Sequence, residues 1–313
     1  MGKIQMSENL KNGDELCGVL IVNKHGGCTS FDIVNKVRRL YGTKKVGHAG
    51  TLDPMATGVL VVLVGRAAKA AELIQSDRKA YRARMRLGLT TDTEDVTGEL
   101  LTTCESLPDA ETVKNACESF RGEIMQIPPM YSALKVGGQK LCDLARKGIT
   151  VERKARPITV YKLECNETER CDEYELYVEC SGGTYIRTLC ADIGAKLGCG
   201  GVMSTLTRCE CCGFSIDESV TLDSLTELSY EQRVELLRPC EGIFSDLDSV
   251  TLPPFYEKLF RSGQQIYQKK IGTSFASGQL LRVNGKDCGF FALGRVGDYE
   301  DGSAIKSVKL FYL

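Results

Sequence analysis

The sequence is short of the residues that build a metal centre. Among 313 residues there are two histidines, His25 and His48, and no tryptophan. Cysteine is plentiful at 15, but it forms only one compact group, Cys209, Cys211 and Cys212. That group holds a single C-x-x-C, with no second C-x-x-C or histidine pair to complete four zinc ligands. It reads as strand packing, with zinc or redox chemistry the alternative. No metal and no cofactor are expected. An excess of charge is missing too. With 40 basic and 41 acidic residues the formal net charge is −1, which by itself argues against a nucleic-acid partner. No run reaches the roughly 18 apolar residues of a membrane span, so no membrane partner is expected. The first sixteen residues are polar and lack the apolar core of an export signal, and Met6 stands where a myristoylation signal has Ser or Thr. A cytoplasmic protein is expected, with most cysteines reduced and buried as small hydrophobes.

What is present suits a globular fold of one large domain or two unequal ones, at about 150 residues each. The charge average also hides an asymmetry. Lys36 to His48 carries five basic residues and no acid; Arg66 to Arg86 and Tyr131 to Pro157 each carry seven basic residues against two acids. If these segments converge they form a phosphate-binding footprint; otherwise they are ordinary solvated faces.

The periodicities predict a strand over 17–24 and a helix over 29–42, capped by Thr29 or Ser30, with Phe31, Val34, Val37 and Leu40 on one face. A buried strand over 59–64, a short Ala-rich helix over 67–75 and an alternating strand over 79–88 follow. In the last, Tyr81, Ala83, Met85 and Leu87 face one way, and Arg82, Arg84 and Arg86 the other. Further on come a helix near 109–119, a long Pro- and Gly-punctuated excursion over 127–148, and strands near 156–166 and 173–180. A helix over 184–198, a strand near 202–214 and a helix near 222–237 close the larger part. Residues 250–313 read as a small β domain with an Asn284-Gly285 hairpin turn.

One stretch concentrates unusual chemistry. "GHAGTLDPMATG", residues 47–58, packs three glycines, a histidine and an Asp-Pro step before an apolar strand. Asp53 precedes a proline and is therefore extended; the bland reading is a loop-closing turn. Arg187 lies in the first turn of its helix, where the dipole disfavours a cation, so it calls for an anion, a phosphate or a carboxylate. Pairing with Asp53 would orient that acid and keep it ionised. Tyr81 is either a core aromatic or a ring for stacking on a base. His48 is either a satisfied loop histidine or a group beside a nucleotide lifted from its helix.

Six motifs, in order over roughly residues 16–214, resemble the bacterial TruB-type tRNA pseudouridine synthases: "VNKHGGCTSFDIV", "KKVGHAGTLDPMATGVLVVLVGRAAK", "KAYRARMRLGLTTDTEDVTGE", "IPPMYSALKVGGQKLCDLARKG", "SGGTYIRTLCADIGAKLGCGG" and "LTRCECCGF". The resemblance implies an α+β fold, with a mixed, largely antiparallel central sheet flanked by helices and a small C-terminal β-rich PUA-like domain. It implies a catalytic domain over 1–245, with an RNA-binding thumb near 128–150, and a PUA-like domain over 250–313. The implied activity is isomerisation of a T-loop uridine, position 55 in standard tRNA numbering, to pseudouridine.

By the same resemblance Asp53 is the catalytic aspartate, Tyr81 the active-site tyrosine and Arg187 its arginine partner. Leu206 packs on the base, His48 lies beside the flipped nucleotides, and Lys24, Tyr185 and Arg146 are RNA-binding residues. The partner is the tRNA T-arm and the protein a monomer. His25 stands where the family usually has Pro, and Cys142 where a thumb aromatic is common. Two other functions stay open: an RNA-folding chaperone, alone or alongside the isomerase, and a glycosidic hydrolase pairing Asp53 with an acid such as Asp92 of "TTDTED".

Overall fold

The computed structural model describes residues 16–74 and 78–312. The expectation for the N-terminal sixteen residues falls almost wholly outside them. Strand β1 (Cys17–Lys24) leads into helix α1 (Ser30–Leu40). Thr29 caps this helix: its hydroxyl accepts the Asp32 N–H at 3.1 Å, and the Asp32 carboxylate accepts the Thr29 N–H at 2.9 Å. The inward face is Ser30, Ile33, Val34 and Val37, an i, i+3, i+4, i+7 stripe that excludes position 31. Phe31, expected on that face, is 57% exposed under the Arg38 guanidinium.

Next come β2 (Val46–Ala49) and β3 (Thr57–Gly65), then a 3-10 turn, Arg66–Ala70, in place of the longer helix expected over 67–75, whose last residue is not described. Strand β4 (Lys79–Leu87) precedes a small hairpin, β5 (Leu89–Thr91) and β6 (Leu100–Thr103), and helix α2 (Ala110–Glu118). Strand β7 (Gly122–Gln126) opens the long excursion. It contains only a two-residue-per-strand hairpin, β8 (Lys135–Val136) and β9 (Gln139–Lys140), and a short helix, α3 (Leu141–Ala145). Strands β10 (Arg156–Glu167) and β11 (Glu173–Cys180), helix α4 (Ile186–Lys196), β12 (Gly201–Cys211) and β13 (Phe214–Ser215) follow. The helix expected over 222–237 is two helices, α5 (Leu222–Glu227) and α6 (Tyr230–Glu235). Ser229 and Gln232 form a capping box that starts a second helix where one was expected to continue.

The main sheet has nine strands, in the order β1-β3-β12-β4-β11-β10-β7, with β2 on β3 and β13 on β12. Every pairing is antiparallel except β3 with β12, which run parallel over only two residue pairs, Thr57–Thr207 and Gly58–Arg208. Strand β1 occupies one edge of β3 along its length. Strands β12 and β2 therefore share the other edge, β2 taking Val61–Val64. The sheet forks there, and the loop 50–56 runs across the mouth of the fork. Strand β3 is apolar throughout because both faces are covered. Leu60, Val62 and Val64 belong to the core beneath α1 and α4, and Val59, Val61 and Leu63 to a second core with Phe214, Phe244, Phe290 and Phe311.

Residues 249–310 make a second, five-stranded sheet: β14 (Ser249–Leu252), β15 (Ile266–Tyr267), β16 (Leu280–Gly285), β17 (Gly289–Tyr299) and β18 (Gly302–Leu310), with helices α7 (Pro254–Arg261) and α8 (Gln268–Ile271). Asn284 and Gly285 are not the hairpin turn. They pair with Phe290 and Gly289 inside the strands, and the turn is 286–288. Gly285 is closely packed: a Cβ there would stand 2.2 Å from a Glu257 side-chain oxygen and 2.5 Å from the Cys288 sulfur, so those side chains would have to move. Of the cysteines, six are buried, two are exposed and the rest are intermediate, fewer buried than expected; all are free thiols.

Helix α4 lies unusually close to β12. A Cβ on Gly194 would fall 2.1 Å from the Gly201 nitrogen, so only glycine lets the helix reach this depth. Gly194→Ala is expected to lower stability by about 1–3 kcal/mol through overpacking, read as a lowered urea midpoint, and to displace the helix that carries Arg187.

Candidate active site

The loop 50–56 is tied at nearly every peptide. The Ser30 hydroxyl bridges the Leu52 N–H and C=O, at 2.9 and 3.2 Å. Lys24 donates to the carbonyls of Pro54 at 3.1 Å, Ala56 at 2.6 Å and His25 at 3.0 Å. Arg208, fully buried, donates to Gly50 at 2.9 Å and Val59 at 2.8 Å, filling the fork between β3 and β12. The Ala56 N–H closes the Asp53-Pro54 turn onto the Asp53 carbonyl at 3.1 Å. Gly58, at φ +99°, lets β3 approach Arg208: a Cβ there would meet the Arg208 carbonyl at 2.2 Å.

Lys24, an RNA-binding residue by the resemblance, is turned inward here. It is fully buried, and its three N–H donors are all directed at backbone carbonyls. Burial pulls its ammonium below the ordinary lysine value, with the Cys28 and Asp53 charges opposing. Arg208 escaped the sequence reading, although it shares the inward face of β12 with Leu206; a cation at an inward strand position was the available signal.

Asp53 emerges from this rigid loop against Arg187. The guanidinium makes a two-point contact, Nε to Oδ2 at 2.9 Å and Nη2 to Oδ1 at 3.3 Å. The Arg187 side chain is 5% exposed and that of Asp53 36%, so the arginine is sealed within the protein while the acid stays open to a ligand. The remaining donors are engaged as well: Nη1 with the Thr93 carbonyl at 2.9 Å and Nη2 with the Tyr131 carbonyl at 2.8 Å. Asp95 lies 3.8 Å from Nη1. A cation in the first turn of α4 is tolerable because two carboxylates and two carbonyls surround it.

Tyr81 and Leu206 are diagonal neighbours on β4 and β12, since Leu206 pairs with Ala83 and Arg208 with Tyr81. Both are 7% exposed and share an apolar cluster with Leu52 and Ile186, the residues preceding Asp53 and Arg187. Burial pushes the Tyr81 phenol well above its usual range, with the adjacent Arg208 guanidinium opposing. His48 sits on β2, half-buried, with no partner for Nδ1 among the described residues; burial lowers its pKa, as does nearby Arg208. The Tyr185 backbone is held at both ends by Gln126, whose amide accepts from Tyr185 N–H at 2.8 Å and donates to its carbonyl at 3.1 Å. Arg146 lies out on the excursion, its side chain 72% exposed.

The acids of "TTDTED" are all engaged. Asp92 accepts from the Glu99 N–H at 2.7 Å and the Tyr131 hydroxyl at 3.0 Å. Asp95, buried, accepts from Thr93 and Thr97. Glu94 accepts from the Thr188 hydroxyl. Asp92, the acid a glycosidic hydrolase would pair with Asp53, thus accepts a hydrogen bond on each of its oxygens. Among the described residues no group of three or more His, Cys, Asp or Glu could hold a metal ion, and no helix is long and apolar enough to cross a membrane.

Replacing Lys24 tests the scaffold. Lys24→Met keeps the length but leaves three carbonyls without their charged donor, and is expected to lower stability by about 2–3 kcal/mol. A denaturant titration checks this, and activity should fall with it as the Asp53 loop loosens.

Residues 38–186 match the TruB family pseudouridylate synthase N-terminal domain, and residues 187–253 match the tRNA pseudouridylate synthase B C-terminal domain. The chain is 41% identical over 279 residues to tRNA pseudouridine synthase B of Clostridium tetani, covering 89% of this chain and 95% of that one. It is 41% identical over 263 residues to the protein of the same name from Francisella tularensis subsp. novicida, covering 83% and 85%. Among solved structures, a chain of a Cbf5-Nop10-Gar1 complex superposes with a TM-score of 0.73 at 24% identity, covering 95% of this chain and 86% of that one. A chain of an H/ACA RNP bound to a substrate RNA containing 2′-deoxyuridine gives 0.71 at 22%, covering 95% and 85%. These two likenesses show the shared fold. From the sequence matches over most of its length, the chain belongs to the TruB family of pseudouridylate synthases.

Proposed function

We propose that the protein is a tRNA pseudouridine synthase that converts uridine 55 of the T-loop, with Asp53 as the catalytic carboxylate acting on a uridine turned out of its stack. The observation that carries this reading is the pairing of an accessible Asp53 with a buried Arg187. The reaction breaks the N1–C1′ bond, turns the uracil and forms a C5–C1′ bond, with the C5 proton lost and N1 ending protonated. No electrons are gained or lost overall. A single carboxylate facing the ribose serves such a step, as a nucleophile or as a manager of charge and proton. The fork of Arg187 fixes where the oxygens point. Tyr81 and Leu206 supply an aromatic and aliphatic wall that offsets part of the unstacking cost, a few kcal/mol, and retains the free uracil.

In this reading 1–245 is the catalytic unit, 128–150 its thumb on the T-arm, and 250–313 a PUA-like RNA-binding domain. His48 and Tyr185 line the path of the nucleotide, and Arg146 meets phosphate. In the same reading the enzyme is cytoplasmic and acts as a monomer; Asp53, Arg187 and the carbonyls around them come from one chain, so the site calls for no second copy. The relatives named for tRNA support the substrate.

The test uses unmodified tRNA carrying tritium at uracil C5. Tritium release without free uracil, abolished in Asp53→Asn, is the expected result. Free uracil would point to hydrolysis, and tight binding without release to a folding chaperone. Alanine at Lys135, Lys140, Arg146 and Lys147 should weaken tRNA binding and flatten its salt dependence, the log–log slope falling by about 0.7–0.9 for each phosphate no longer neutralised. An unchanged slope across salt titrations would remove the thumb from the binding surface.

A further inference from the structure

Glu94 belongs to no motif position given a role above, yet its backbone and its side chain are both tied to other elements. It adopts φ +63°, a left-handed conformation that non-glycine residues rarely hold without support. Its carbonyl accepts the Met203 N–H of β12 at 3.1 Å, and the Val96 N–H returns to the Met203 carbonyl at 3.0 Å. Its half-buried carboxylate accepts the Thr188 hydroxyl at 2.5 Å. Thr188 is buried and follows Arg187 in the first turn of α4. The residue before Glu94, Thr93, offers the carbonyl that binds Arg187 Nη1. One side chain thus joins the loop to the helix within one residue of the guanidinium on both sides. The charged groups facing it are Arg187 and Arg153, which favour its ionised form, and Asp192, which opposes it; burial, the largest effect, raises its pKa.

We propose that Glu94 is a positioning residue: its bond to Thr188 docks the 91–97 loop on α4 and so holds the Thr93 carbonyl on the far side of Arg187. The guanidinium can rotate about its long side chain, and the two-point contact with Asp53 requires one rotation. Two backbone carbonyls, from Thr93 and Tyr131, set that rotation. Without the Glu94–Thr188 bond the loop keeps its backbone bonds to Met203 of β12 but loses this side-chain tie to α4, the helix that carries Arg187. Asp95 alone does not replace it: its Oδ1 is committed to Thr93 and Thr97 within the loop, and its Oδ2 stands 3.8 Å from Nη1, beyond hydrogen-bond distance. Misplacement of a catalytic group by a fraction of an ångström to 1 Å can cost up to about a hundredfold in rate.

The inference rests on the isomerase reading and is tested with the full chain in the tritium-release assay. Glu94→Ala and Thr188→Val are expected to lower kcat about tenfold or more while changing KM for tRNA less than about twofold. Glu94→Gln, which can still accept the hydroxyl, and Thr188→Ser, which still donates it, are expected to stay within about threefold of the parent. Cooperative thermal melting of each variant confirms that it is folded. An unchanged kcat in Glu94→Ala or Thr188→Val overturns the proposal. So does a Glu94→Gln as impaired as Glu94→Ala, because charge and not the bond would then be what counts, and so does a parallel change in kcat and KM. If the parent turns over, Asp53→Asn is dead and Glu94→Ala is normal, this inference falls and the isomerase stands. If the parent releases no tritium, the isomerase reading itself falls.

Discussion

A guanidinium buried to 5% exposure cannot stand unpaired, and most of the site follows from satisfying it. Arg187 draws a carboxylate from the 50–56 loop, a carbonyl from the 91–97 loop and another from the root of the long excursion. Three segments remote in sequence are thereby fixed around one planar group. The arginine is a structural keystone and the electrostatic partner of Asp53 at once. The asymmetry of exposure then separates the two partners: the cation is enclosed, and the anion meets whatever enters.

A second constraint acts from below. The sheet forks where β12 leaves β3 after two residue pairs, and a fork exposes backbone groups that need partners. Lys24 and Arg208 supply them, two buried cations with their donors spread over the carbonyls of the loop and of β3. Asp53 rests on a framework fastened on both sides, so its oxygens need little reorganisation to meet a ligand. His48, whose strand holds the other arm of the fork, has its pKa lowered by burial and by the neighbouring Arg208 charge.

Much of this was legible in the sequence because it rests on local rules. The alternation of β4, the Thr29 cap, the apolar run of β3 and an arginine in a helix's first turn each signal their surroundings directly. Where expectation failed, an interaction remote in sequence had prevailed. Phe31 fits a helical stripe by spacing, but the stripe that meets the sheet starts at Ser30. Asn284-Gly285 has turn composition, yet Glu257 and Cys288 crowd Gly285 within the strand pairing. Nothing local to Lys24 announces the carbonyls of residues 54 and 56 that enclose it. The roles of Arg208, Gln126 and the Thr93 and Tyr131 carbonyls lay outside the motif reading, since backbone acceptors carry no side-chain signature at all.

The groups that converge on Asp53 come from positions 24, 30, 93, 131, 187 and 208, spread over most of the chain. No early fragment of a nascent polypeptide contains both the acid and its counter-ion. A copy that stops short of residue 208, or in which that stretch has not folded, has a carboxylate with no direction imposed on it. The acid and its counter-ion meet only once the chain through β12 has come together, so a half-made molecule carries the acid without its setting.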